Sequence, residues 1–89
     1  GKNMTIEIQT PEGIIGDLYV KFEDWNHQNR AGLLSIEGRE SILEKQKGKE
    51  RWVKLFIMRE DTNDGKIVLK THTKQGGNLM ISQIAFIKQ

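Results

Sequence analysis

The residues best equipped for chemistry stand together between Gly16 and Arg30, in the stretch GDLYVKFEDWNHQNR. It starts as a strand and ends in a polar loop. The loop carries an indole (Trp25), an imidazole (His27), three amides (Asn26, Gln28, Asn29) and a guanidinium (Arg30). Stacking and hydrogen-bonding groups on a rigid apolar base suit a surface that holds a polar ligand. Arg30 has a second use open to it, pairing with Asp24 to hold the shape of the loop.

Other reactive groups are scattered. Glu60, Asp61 and Asp64 cluster in REDTNDG. Paired carboxylates serve glycoside hydrolysis, but an Asp-Gly sequence marks a turn in which aspartate bonds the local backbone, so a solvated or Asx-type turn is expected. His27 and His72 are the two histidines and cysteine is absent, which leaves a structural zinc site short of ligands. KQGGN at 74–78 lacks the Gly-Lys-Ser/Thr and the helix start of a phosphate loop. No serine sits in a nucleophile elbow. Neither catalysis nor a cofactor is expected.

Strands must position these groups. Met4, Ile6 and Ile8 alternate with Thr5 and Glu7; Leu18, Val20 and Phe22 alternate with Tyr19, Lys21 and Glu23. Leu34 and Ile36 continue a third strand. Glu37-Gly38-Arg39-Glu40 reads as a hairpin turn, and 41–44 as a short return anchored by Ile42. KQKGKE at 45–50 reads as a solvated turn. In 51–58, Val53, Leu55 and Ile57 oppose Trp52, Lys54, Phe56 and Met58, with Trp52 expected as a partly buried lid. Strands over 66–73 and 79–87 close the chain. About seven short strands with turn chemistry between them, and no helix of three turns, define an all-β antiparallel sandwich.

Composition sets the remaining bounds. At 89 residues a single domain is expected. Net charge is +2, from 14 Lys and Arg against 12 Asp and Glu, and no concentrated basic face emerges, so nucleic acid is not an expected partner. No apolar run reaches the length of a membrane span. No signal peptide is visible, and the chain starts with Gly1, as a fragment of a longer protein would.

The segment GDLYVKFEDWNHQNRAGLLSIEGRE resembles a stretch of galactose-binding-like jelly-roll domains, in which a strand ends in an acidic residue, a polar loop with an arginine follows, and a strand then leads to a glycine hairpin. ERWVKLFIMREDTNDGKIVLKTHTKQGGNLMISQIAFI is similar to the rest of that pattern. Full-length members carry further N-terminal strands, so the chain resembles a shortened form. The resemblance implies a non-catalytic carbohydrate-associated module of a secreted, extracellular or periplasmic glycoside hydrolase or polysaccharide lyase. Its partners would be a polysaccharide or oligosaccharide, or an adjacent catalytic domain. On this reading Trp25, Asn26, His27, Asn29 and Arg30 are the ligand-binding residues: the indole stacks on the C–H face of a sugar, and amide, imidazole and guanidinium meet its hydroxyls. Two other classes compete. An OB-type barrel binding single-stranded nucleic acid would use Tyr19, Lys21, Trp52, Lys54 and Phe56. A pure protein-interaction domain would dock through an edge strand or the Tyr19 face.

Overall fold

The structure is a computed structural model and describes residues 3–24, 30–75 and 79–89. Seven strands make up the fold: β1 (Asn3–Gln9), β2 (Gly16–Glu23), β3 (Ala31–Ile36), β4 (Arg39–Leu43), β5 (Glu50–Ile57), β6 (Lys66–Gln75) and β7 (Met80–Lys88). One 3-10 turn, Arg59–Asp61, joins β5 towards β6. Every strand pair is antiparallel. The strands form two sheets, a four-stranded one ordered β1-β6-β3-β4 and a three-stranded one ordered β5-β2-β7. The chain changes sheet at every connection except the β3–β4 hairpin. The expected all-β sandwich is therefore the fold.

Period-two patterning explains why the sheets face each other. In β2 every second residue is buried, so Leu18, Val20 and Phe22 lie wholly inside while Tyr19 and Lys21 face outward. Leu34 and Ile36 of β3 and Ile67 and Leu69 of β6 meet them from the other sheet, with Ile57, Leu43 and Leu79 closing the core. The β3–β4 turn has Glu37 at φ 48° and Gly38 at φ 84°. Two consecutive residues at positive φ twist the chain to match the right-handed twist of the strands. Glycine adopts this conformation freely, whereas Glu37 does so at some strain. Glu37 is held there by β6: its N–H donates to the Val68 carbonyl, and its carboxylate accepts the Val68 N–H at 3.0 Å.

Four sequence expectations change. The return strand after the hairpin is anchored by Leu43, which is buried, and not by Ile42, which is 79% exposed. Pairing of Leu33 with Ile42 puts Ile42 on the outer face. The 45–50 segment is not wholly solvated, because Gln46 is buried and its amide donates to the Phe22 and Gly48 carbonyls. The acidic turn holds one Asx-type contact, Lys66 N–H to Asp64, but Asp61 is buried. Trp52 is no lid: at 47% exposure it stands on the outer face of β5.

Candidate functional site

At the end of β2, Asp24 and Arg30 are both buried, and an Arg30 Nη1–H donates to the Asp24 carboxylate at 2.5 Å. The surrounding backbone is tied to the 45–50 segment: Asp24 N–H bonds the Lys49 carbonyl and Gln46 N–H bonds the Arg30 carbonyl. A buried ion pair with this support holds the two ends of the 24–30 segment together. Arg51 adds a second guanidinium, 5.8 Å from the Phe22 ring, and donates to the Glu44 carbonyl at 2.7 Å. Burial lowers the Arg51 pKa from its ordinary value, against the opposing pull of the Asp24 and Glu44 carboxylates. Of the residues expected to bind ligand, Arg30 is placed in this buried pair, whereas Trp25, Asn26, His27 and Asn29 lie outside the described residues.

The acidic cluster is drawn apart. Asp61 accepts two hydrogen bonds from Arg39, at 2.5 and 2.8 Å, and one from the Met58 N–H at 2.7 Å. Burial alone would raise its carboxyl pKa; the Arg39 guanidinium and the Met58 N–H outweigh that and hold it below the ordinary carboxylate range. The hydrogen bond to Asp61 in turn raises Arg39. A carboxylate fixed as an anion in this way has no proton to donate at neutral pH, so Asp61 is unsuited to act as a general acid. His72 meets Asn3 at 2.5 Å on the outer face of the four-stranded sheet. Among the described residues, no three metal-ligating side chains converge.

The exposed aromatic groups collect on the outer face of the three-stranded sheet. Antiparallel register sets out three cross-strand rows: Trp52, Lys21 and Gln83; Lys54, Tyr19 and Ala85; Phe56, Asp17 and Ile87. Trp52, Phe56 and Ile87 are 47%, 51% and 59% exposed, and Tyr19 is half-buried between them. Two rings four residues apart on one strand stand about 13 Å apart along it. Lys21 Nζ lies 5.9 Å from the Trp52 ring centroid and 3.2 Å from Glu50, so one side of the indole is held by a neutralised cation. Alternation on β5 already signalled apolar groups on both of its faces. The rows themselves depend on strand pairing, which no local pattern reveals.

The opposite outer face carries two hollows and, among the described residues lining them, no aromatic side chain other than His72. A hollow of about 340 Å³ is lined by Asn3, Thr5, Ser35, Lys70 and His72 among others, and a second, of about 760 Å³, lies beside Ile42, Leu33 and Lys74. No family model, curated protein or solved structure matches the chain.

Proposed function

We propose that the chain is a non-catalytic, carbohydrate-associated sandwich module, with the outer face of its three-stranded sheet as the binding platform. The observation that carries this reading is the placement of Trp52, Tyr19 and Phe56 on one face of the sheet with Lys21, Lys54, Asp17 and Gln83 among them. Flat rings offer stacking area to the C–H faces of sugars, and the interleaved donors and acceptors suit hydroxyl rims. The resemblance to galactose-binding-like modules and the jelly-roll style of winding between sheets support the same class. In this reading Arg30 serves the fold, and the platform is a different set of residues from the ligand-binding residues expected from sequence.

The test is affinity electrophoresis of the chain through gels containing soluble β-glucan, xylan, galactomannan or polygalacturonate. Retardation by at least one of them, abolished by Trp52→Ala with the fold intact, is the expected result. Retardation that survives Trp52→Ala but is lost in Trp25→Ala returns the site to the loop. No retardation in any gel removes the carbohydrate reading.

A second reading rests on one end of the same face, where Phe56, Met58 and Ile87 are 51%, 37% and 59% exposed. An apolar end of this kind fits packing against a neighbouring domain of the same protein, as a buttress. Retention of the chain by the separately expressed neighbouring domain, lost in Phe56→Ser, distinguishes this reading from glycan binding.

A further inference from the structure

The two sheets differ by one strand, and the difference falls on one flank. Arg39 of β4 donates to the Phe56 carbonyl of β5 at 3.1 Å, so these two strands mark a shared flank of the sandwich. Counting inward from it, β3 lies over β2 and β6 over β7, which leaves β1 over no strand. The Leu79 N–H, at the start of β7, bonds Thr73 of β6, in agreement with that order. Burial follows it too. Inward residues of β3 and β6 are buried, whereas Met4, Ile6 and Ile8 of β1 are half-buried, as are Ile84 and Phe86 of β7.

The free edge of β7 is uncharged over its first eight residues. Among the described residues β7 pairs with β2 alone. β7 contains no proline, and its one charged residue is Lys88 at its C-terminal end. The other edge strands contain charged residues: Glu7 in β1, Arg39 and Glu40 in β4, Glu50, Arg51 and Lys54 in β5. Soluble proteins normally guard a free edge with charge, proline or a covering segment.

We propose that β7 is a docking edge for a single extended strand of a partner polypeptide, bound by β-augmentation. The overhang of β1 decides the occupant. A second copy joined β7 to β7 would push its own four-stranded sheet into β1, so the slot admits one strand and not another sandwich. That strand runs antiparallel to β7, as all pairs here do. Its alternate residues are apolar and fill the groove between Ile6 and Ile8 on one side and Ile84 and Phe86 on the other. The residues between them face solvent in line with Gln83, Ala85 and Ile87. The slot has the length of β1, seven residues, or about 23 Å of extended chain.

The probe is a lysine-flanked peptide as long as β7 that alternates valine and threonine, with a control of the same composition in two blocks. Binding is read by hydrogen exchange of the β7 amides. The alternating peptide is expected to slow exchange in 80–87 by about tenfold or more, and the block peptide is not. Ser82 is the residue passed over where the β2 register shifts, so Ser82→Pro is the proline substitution expected to disturb the β2 pairing least and to remove the protection. Ile6→Thr, which only softens the groove floor, weakens peptide affinity severalfold and serves if the proline variant does not fold. Unchanged exchange with the alternating peptide overturns the proposal. So does equal protection by the block peptide, or a dimer of the chain cross-linked through β7.

Discussion

Arg39→Met tests whether the sandwich is latched at one flank by a single ion pair. Arg39 reaches from β4 to the turn after β5 and makes two bonds to Asp61, at 2.5 and 2.8 Å. The Asp61 side chain is 3% exposed and that of Arg39 43%. Methionine keeps much of the aliphatic stem and removes the charge. Hydrogen bonds to charged groups contribute about 1.5–3 kcal/mol each, and the solvent around Arg39 reduces the pair well below the sum. Asp61 would keep one donor, the Met58 N–H. The expected loss is about 2 kcal/mol, a balance of these terms, equivalent to a fall in Tm of about 8–16 °C for a domain of this size.

The pH dependence of that loss separates the latch from simple packing. In the native chain the folded pKa of Asp61 lies below its ordinary 3.8. Its contribution is therefore fully present above about pH 4 and is lost as pH falls through the lower folded value. Without Arg39, burial dominates and pushes the Asp61 carboxyl up, so protonation relieves the variant while it harms the native chain. The difference in stability, measured by urea denaturation at pH 7, 5, 4 and 3, should narrow on acidification. A difference below about 0.5 kcal/mol at pH 7, the range of ordinary surface substitutions, would refute the latch. A difference that stays constant from pH 7 to 3 would show that Asp61 ionisation is not its source.

Three further substitutions probe other parts of the fold. Leu43→Ala should destabilise by about 2–4 kcal/mol, whereas Ile42→Ala should stay within about 0.5 kcal/mol; equal effects in urea denaturation would contradict the register of β4. Arg30→Met removes the ion-pair partner of a buried Asp24 and should cost about 3–5 kcal/mol, seen as a lower urea midpoint, while a neutral effect would favour a ligand role for Arg30. Gly32→Ala would bring a Cβ to 2.0 Å from the His72 carbonyl oxygen, so thermal unfolding should show a loss of about 1–3 kcal/mol, as overpacking produces, and an unchanged Tm would mean that β3 and β6 are not so closely apposed.

Strand positions were legible because alternation is a local property. Leu18, Val20 and Phe22 announce a half-buried strand whatever they pair with, and Gly38 marks the hairpin beside them. What escaped reading depends on partners distant in sequence. Asp61 looks like any turn aspartate until Arg39, 22 residues away, is brought against it. Gln46 lies in a run of charges but is buried against the end of β2, where its amide donates to the Phe22 carbonyl. Ile42 and Leu43 are adjacent apolar residues in a five-residue strand, and only pairing with Leu33 and Gly32 decides which faces inward.

The same distinction bears on the candidate site. Side-chain chemistry drew attention to the Trp25–Arg30 loop, where suitable groups are neighbours in sequence. The aromatic platform is built from Trp52 and Phe56 on β5, Tyr19 and Lys21 on β2 and Gln83 on β7, which share a face only through sheet order. Individually these are unremarkable outward residues of three strands. On the outer face of the three-stranded sheet Trp52 and Phe56 are exposed and Tyr19 is half-buried between them. An exposed indole braced by Lys21, which is itself neutralised by Glu50, is preset for contact before any ligand arrives. Preset contact area reduces the ordering that binding requires. Lys21→Met should therefore weaken any ligand held by Trp52 while leaving the core untouched, because Lys21 acts on the orientation of the ring. Affinity electrophoresis beside Trp52→Ala checks this: retardation intermediate between the native chain and Trp52→Ala is expected, and native-like retardation would show that the indole needs no brace.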